Sequence, residues 1–86
     1  MQLYEEILNK FPIIEKRFSA DELLEFKDTL AGDLYMYHFG LGIWIRNNLL
    51  KEKSLLYQLF IENNIIHKDE MSFLTIKLFH FSLSVK

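Results

Sequence analysis

The sequence has no cysteine, and its 86 residues include only one proline and three glycines. The absence of cysteine excludes disulfides and thiolate metal sites, and it fits a reducing compartment such as the cytoplasm. So little proline and glycine leaves little room for long loops. We therefore expect regular elements joined by short connections, without a linker, an internal repeat or a low-complexity segment.

Clusters of basic charge and long hydrophobic runs are also missing. Ten Lys and Arg residues are scattered along a chain of net charge −2, so the basic stripe typical of nucleic-acid binding is not present. The longest uncharged segment, residues 34–45, is about half the length of a membrane span. Glu5 and Glu6 lie where a signal peptide is basic. We expect a cytoplasmic protein that binds neither nucleic acid nor a membrane.

Apolar side chains, by contrast, are abundant. Half of the residues are hydrophobic, and eight Phe, four Tyr and one Trp make 15% of the chain aromatic. A chain of this length is expected to form one domain, residues 1–86, with little stability to spare. Either its core is unusually dense, or part of the apolar surface is buried against a partner. The second alternative predicts another protein as partner, or a second copy of the chain in a homodimer.

Helical spacing and capping residues predict the first two helices. The apolar positions of residues 3–11 follow a helical period, and Pro12 predicts that this helix ends there. Ser19 and Glu22 form a capping-box pattern at the start of the second helix. Gly32 suits the C-terminal cap of that helix.

The next segment is predicted to form the centre of the fold. Residues 34–50, with Asp33 as a cap, are predicted to form one helix. This helix would be apolar on most of its circumference, which is typical of a helix surrounded by others. Trp44 lies in its middle. Ser54 and Asp69 are suited to cap two further helices. The sequence therefore predicts an all-α fold, a compact bundle of four to five short helices around this central buried helix.

The C-terminal segment, residues 73–85, allows two interpretations. Met71, Leu78 and Val85 follow a helical period, whereas Leu74 and Ile76 alternate with polar residues as they would in a strand. A lone strand would have no evident pairing partner in this chain. We therefore favour a helix.

Two glycines interrupt the predicted central helix. Gly40 and Gly42 would each destabilise a helix by about 1 kcal/mol relative to alanine. We therefore expect that another group approaches the backbone closely at these two positions. Close helix packing around Trp44 is one explanation, and close approach of a ligand or a partner backbone is the other. No strand precedes these glycines, so they do not form a nucleotide-binding loop.

Arg46 is the most informative polar residue, because a guanidinium on a buried helix needs acceptors to offset its desolvation. A bidentate pair with Asp69 or Glu70 would join the end of the central helix to the start of the last one. Alternatively, Arg46 holds an anion or a substrate carboxylate. His38, on the same helix, is either a core histidine or part of such a site.

Metal binding and catalysis have little support in the pattern. His38, His67, Asp69 and Glu70 offer ligand types, but their spacing fixes no second ligand pair. Ser72 lies within six residues of His67, and nucleophile, base and acid so close in sequence rarely converge. We therefore predict no catalytic residue, no metal and no cofactor.

Two blocks of the sequence resemble a known group. Residues 37–48 (YHFGLGIWIRNN), followed by residues 67–72 (HKDEMS), resemble an uncharacterised family of small bacterial domains in which a YH–LG–WIRN block precedes an HPDDMS block. The resemblance covers residues 33–83. Lys68 replaces the usual proline, and Glu70 replaces the second aspartate. The resemblance implies a helical fold and no activity that can be named.

These observations lead to two hypotheses of function. The first is a non-catalytic protein-interaction or regulatory domain. The alternative is a small-molecule or anion-binding protein, a class that includes enzyme subunits, that uses Arg46, His38 and His67. The candidate ligand- or partner-binding residues are His38, Gly42, Arg46, Asn47, His67, Asp69 and Ser72.

Overall fold

A computed structural model describes residues 2–85, so Met1 and Lys86, the two ends of the predicted domain, lie outside the described residues. Between residues 2 and 85 the chain is helical and contains no strand, which confirms the predicted all-α fold. No helix in this range is long and apolar enough to cross a membrane. The elements are α1 (Leu3–Glu15), α2 (Ala20–Asp28), a 3₁₀ helix (Ala31–Tyr37), α3 (Leu41–Asn48), α4 (Leu55–Glu62) and α5 (Lys68–Ser84).

The central element is α5, not the segment 34–50. Helix α5 packs against α1, α2, α3 and the 3₁₀ helix. The predicted continuous helix is instead a 3₁₀ helix, a turn at residues 38–40 and the eight-residue α3. The prediction was wrong because the helical period includes Tyr35, which is exposed, and Trp44, which is only half-buried.

The segment 73–85 is helical, as favoured. Its position in the centre explains why its pattern was ambiguous. The buried residues of α5 form one face, and Phe73 and Leu74, outside that face, are partly buried and also pack against the core. Thr75 is fully buried between Leu74 and Ile76, and its hydroxyl donates to the carbonyl of Met71 at 2.8 Å. A polar side chain that forms its hydrogen bond within its own helix can be buried without leaving an unpaired polar group. The alternation of apolar and polar residues therefore does not indicate a strand here.

Two of the predicted helix starts are confirmed. The backbone N–H of Glu22 donates to Ser19 Oγ at 3.2 Å, and the N–H of Ser19 donates back to Glu22 Oε1 at 2.9 Å. This is a complete capping box at the start of α2. Ser54 caps α4 by accepting from the N–H of Tyr57 at 3.1 Å. Both caps depend only on residues three positions apart, which makes them readable from sequence.

The predicted end of α1 was wrong, because Pro12 lies inside a helix that continues to Glu15. An internal proline costs about 3 kcal/mol. The last turn, however, buries Ile14 completely, and full burial of such a side chain contributes roughly 1.5–3 kcal/mol. Tertiary packing of comparable size therefore offsets the local cost.

Three other boundary predictions were wrong as well. Gly32 and Asp33 both lie inside the 3₁₀ helix and cap neither neighbour. Helix α2 ends earlier, at Thr29, whose hydroxyl donates to a carbonyl one turn back at 2.9 Å and satisfies the helix end without a glycine. Asp69 lies in the first turn of α5, while His67 occupies the cap position.

An aromatic cluster around Phe26 forms the middle of the core. Phe26 is fully buried, and its ring centroid lies 4.8 Å from that of Tyr37, 5.2 Å from Phe18 and 5.6 Å from Phe79. The His80 ring meets it edge-on at 5.4 Å. Such ring pairs contribute roughly 0.5–1.5 kcal/mol beyond burial. Part of the aromatic excess therefore forms a dense core.

The capping box makes the stability of α2 depend on pH. The pKa of Glu22 lies below its usual value, first because the backbone N–H of Ser19 donates to the carboxylate, then because of the Ser19 hydroxyl, with a smaller contribution from the charge of Arg17. A lowered folded pKa adds stability above the unfolded pKa, and this stability is lost as the pH falls through the folded value. We therefore expect Ser19→Ala to lower the melting temperature more at pH 7 than at pH 3.

Thermal melts at the two pH values check this prediction, with Ser84→Ala, an exposed serine at the end of α5, as the matched control. Ser19→Ala keeps the backbone N–H of residue 19, so it removes only the contribution of the hydroxyl to the lowered pKa of Glu22. An equal loss for Ser19→Ala at both pH values would contradict that contribution.

Candidate functional site

The guanidinium of Arg46 joins three parts of the chain. Arg46 lies in the last turn of α3 with a side chain only 15% exposed. Its Nη1 donates to Ser72 Oγ at 2.9 Å, and its Nη2 donates to the carbonyl of His38 at 3.2 Å. Its Nε lies 3.6 Å from Asp69 Oδ1. One side chain therefore connects α3 to α5 and to the turn at residues 38–40.

The predicted ion pair of Arg46 is confirmed with Asp69, but its predicted character was wrong. The contact is a single one at 3.6 Å rather than a bidentate pair, and the Asp69 side chain is 73% exposed. Water screens such a pair, so it is worth about 0–1 kcal/mol. The shorter bonds, to Ser72 and to the His38 carbonyl, hold Arg46 in place.

Ser72 is the buried acceptor for this arginine. Its side chain is fully buried, and its hydroxyl accepts from Arg46 while donating to the carbonyl of Asp69 at 3.0 Å. The second bond orients a lone pair of Ser72 Oγ towards the guanidinium. Sequence reasoning placed Ser72 among the candidates but gave it no contact with Arg46, because the two residues are 26 positions apart.

The absence of a side chain at Gly42 leaves room for the guanidinium of Arg46. A Cβ atom at Gly42 would lie 3.0 Å from Arg46 Nη1 and 3.3 Å from the carbonyl oxygen of Tyr37. The groups that closely approach the bare backbone are therefore the side chain of Arg46 in the same helix and the carbonyl of Tyr37 at the end of the 3₁₀ helix. Gly40 has open space around its Cα and precedes α3 as its cap residue.

The structure brings together five of the seven candidate residues. His38 contributes its carbonyl to Arg46, and its half-buried imidazole meets Phe39 edge-on at 4.9 Å. Asn47 and His67 are exposed and lie outside this network. Among residues 2–85, no three His, Cys, Asp or Glu side chains converge in a way that could hold a metal ion. The residues that come together are His38, Gly42, Arg46, Asp69 and Ser72.

A cavity of about 420 Å³ opens beside the network, where the start of α5 meets the end of the 3₁₀ helix and the turn after it. Four rings and two carboxylates line it. Sequence reasoning missed three of the aromatic residues, because a helical period assigns Tyr35 to the buried helix and gives Phe39 and Phe73 no distinguishing signal. The lining residues are Tyr35, His38, Phe39, Asp69, Glu70 and Phe73.

A second cavity, of about 430 Å³, lies further along the same two elements. Ala31 and Leu34, near the start of the 3₁₀ helix, line it together with residues 74–84 of α5. The two helices therefore run antiparallel, and the cavities follow one another along the line where they meet. We call the surface formed by both cavities the α5 seam.

Charge is distributed unevenly along the α5 seam. Asp69 and Glu70 line the first cavity, and Lys77 lines the second. Among the described residues, the salt bridge formed by these acids is the one between Arg46 and Asp69, so Glu70 has no cationic partner. The seam is therefore acidic at the end where α5 begins and carries a positive charge near its middle.

The Arg46 network predicts a clear order of mutational effects. Ser72→Ala leaves a buried guanidinium N–H without its acceptor, and such a loss costs about 1–3 kcal/mol. Asp69→Asn removes only an exposed charge pair, worth about 0–1 kcal/mol. We expect Ser72→Ala to be the more destabilising variant in urea unfolding. A larger loss for Asp69→Asn would mean that the exposed ion pair is the main contact.

The close approach at Gly42 gives a second prediction. Gly42→Leu must displace both the Arg46 guanidinium and the neighbouring backbone carbonyl, and overpacking of this kind costs about 1–3 kcal/mol. Gly32→Leu is the matched control, since Gly32 has open space, and we expect a change within about 0.5 kcal/mol. Thermal melts of both variants check this. Equal stability of the two variants would show that Arg46 can leave its position at no cost.

Comparison with known proteins places the chain in a family. No curated protein and no solved structure matches it. The family model described as "Domain of unknown function (DUF6794)" matches residues 6–83, a range that contains both polar blocks. Because this match spans most of the sequence, the chain belongs to the family described as Domain of unknown function (DUF6794).

Proposed function

We propose that this domain is a non-catalytic interaction module that binds an amphipathic helix of another protein along the α5 seam. The observation that carries the proposal is the pair of apolar cavities lying one after the other between α5 and the 3₁₀ helix. Large rings stand exposed at both: Phe39 is 78% exposed and Phe81 is 62% exposed. Contiguous exposed apolar surface of this kind is typical of interaction sites.

The dimensions of the α5 seam suit a helix. The residues of α5 that line the two cavities extend from Asp69 to Ser84, which at 1.5 Å per residue is about 22 Å. A partner helix of about four turns covers that length. Its apolar residues, spaced three and four apart, would enter the two cavities as in other helix-in-groove complexes.

The charges of the α5 seam define the partner further. A basic residue at one end of the partner helix would meet Asp69 and Glu70, and an acidic residue about two turns further along would meet Lys77. Complementary charges of this kind contribute more to orientation and association rate than to affinity. The proposal therefore includes a direction for the bound helix as well as its surface.

A second copy of the chain is a less suitable occupant. A two-fold homodimer places the same surface of both copies together. Two concave seams that face each other would leave their cavities unfilled, and unfilled space forfeits contact energy. A convex helix fills them. The homodimer is retained as an alternative outcome of the test below.

The anion-binding alternative has weaker support. All three nitrogens of Arg46 already face acceptors of the chain: the Ser72 hydroxyl, the His38 carbonyl and the Asp69 carboxylate. Two carboxylates line the neighbouring cavity and would repel an anion, and His67 does not line it. The Arg46 network is better explained as a support for the turn that carries Phe39.

The proposal extends to the setting of the module. We propose that residues 1–86 act as one cytoplasmic domain and that its family is bacterial. We further propose that the two blocks, residues 37–48 and 67–72, are shared within the family because they build the Arg46 network. That network holds the 3₁₀ helix against α5, so it would maintain the shape of the α5 seam.

A photo-crosslinking experiment tests the proposal. A benzoylphenylalanine placed at Phe39 or at Phe81 should crosslink a second protein in cells of the native host. The same group at Tyr4, an exposed ring on α1, is the control and should give no such adduct. An adduct with a second copy of the chain would identify a homodimer and contradict the proposal.

Binding to the purified partner segment completes the test. We expect Phe39→Ser and Phe81→Ser each to weaken binding at least fivefold, while Tyr4→Ser leaves it unchanged. All three side chains are exposed, so the melting temperature should change little. Equal affinity of all three variants would contradict the assignment of the α5 seam.

A further inference from the structure

We infer that the first cavity binds a methylated ammonium group, of the kind carried by trimethylated lysine. The inference rests on the proposed function, because it names the side chain that the partner helix would place at the acidic end of the α5 seam. It follows from two features of the cavity wall, its aromatic rings and its carboxylates.

The rings form walls that suit a cation. Tyr35, His38 and Phe39 come from the 3₁₀ helix and the following turn, and Phe73 faces them from α5. The rings of His38 and Phe39 are nearly perpendicular, at 84°, with centroids 4.9 Å apart. The faces of aromatic rings carry negative potential and attract cations within about 6 Å.

One of these rings already contacts a cation within the chain. Lys77 Nζ lies 5.4 Å from the centre of the Phe73 ring. Lys77 does not line the first cavity, so it leaves that space to a ligand. The contact is an internal example of the interaction that we propose for the partner's ammonium group.

The carboxylates decide the sign of the ligand's charge. Asp69 and Glu70 line the cavity, whereas the guanidinium of Arg46 is directed to Ser72 and the His38 carbonyl. Arg46 neutralises much of the charge of Asp69, whose Oδ1 lies 3.6 Å from its Nε, but Glu70 has no cationic partner among the described residues. The positive end of the α5 dipole, equivalent to about half a charge, offsets only part of the Glu70 charge, so the cavity wall keeps a net negative charge. A cation would therefore be favoured over a neutral ligand and over an anion.

Methylation suits the wall better than a bare ammonium does. A primary ammonium has three N–H donors that need acceptors when it leaves water. Rings make up most of this wall, and the Asp69 carboxylate already faces Arg46. A trimethylated group has no N–H that needs an acceptor, and it contacts rings over its whole surface. Its transfer from water into the cavity would therefore cost less free energy than that of a primary ammonium.

Nuclear magnetic resonance titration of the full chain with four small probes tests this inference. The probes are N-acetyl-trimethyllysine amide, its unmethylated counterpart, choline, and 3,3-dimethylbutanol, which is a neutral isostere of choline. We expect trimethyllysine amide to shift the resonances of Tyr35, Phe39 and Phe73, with at least tenfold weaker binding of unmethylated lysine. We also expect choline to bind at least tenfold more tightly than the neutral isostere.

Variants locate the site and separate charge from shape. Glu70→Gln keeps the shape and removes a charge, so it should weaken binding of trimethyllysine amide severalfold. Phe73→Leu should weaken it roughly tenfold, in line with the loss of one desolvated cation–ring contact. Phe81→Leu, in the second cavity, is the matched control and should bind as the wild type does.

Each other outcome has a definite meaning. Equal binding of choline and its neutral isostere, or of methylated and unmethylated lysine, overturns the inference, as does the absence of binding by both methylated probes. Choline that binds much more tightly than trimethyllysine amide would support a methylated ammonium site but assign it to a free small molecule. The crosslinking result at Phe39 and Phe81 is independent of these titrations, so the inference can fail while the interaction module stands.

Discussion

The stacked contact between Phe26 of α2 and Phe79 of α5 is the interaction on which the rest of the structure depends. The two ring centroids lie 5.6 Å apart, and both side chains are almost completely buried. Tyr37, the last residue of the 3₁₀ helix, packs edge-on against the same Phe26 ring. His80 Nε2 donates to the carbonyl of Thr29 at 2.8 Å and holds the end of α2 beside α5. These contacts fix where the 3₁₀ helix lies, and so they create the two cavities along the line where it meets α5.

The Arg46 network secures the other end of the same segment. Arg46 reaches past Gly42 to Ser72 and to the His38 carbonyl, so the turn after the 3₁₀ helix is held against α5. In this arrangement the arginine serves the scaffold, and the carboxylates at the start of α5 remain beside the cavity. The division explains why the site that we propose is suited to a cation although a buried arginine lies next to it.

The 3₁₀ helix is the element that sequence reasoning described least well, and together with the turn after it the 3₁₀ helix forms one wall of the proposed site. A seven-residue 3₁₀ helix is longer than most. Its apolar residues divide between the core, where Leu34 is buried, and the surface, where Tyr35 and Met36 are exposed. A helical period instead places Leu34 and Tyr35 on two neighbouring apolar faces of one buried helix. Because of this error, the sequence did not predict that Tyr35 is exposed and lines the first cavity.

The sequence by itself determined the all-α class, the caps at Ser19 and Ser54, and the pairing of Arg46 with an acid at the start of the last helix. Capping bonds span three residues and follow from local chemistry, and a buried guanidinium requires an acceptor wherever it lies. Only the tertiary structure decided that α5 is central, that Ser72 is the main side-chain acceptor of Arg46, and that Phe39 and Phe73 line one cavity. These features join residues that are far apart in the chain. The local sequence pattern is compatible with several ways of packing the helices together, and the free energy of packing determines which one forms.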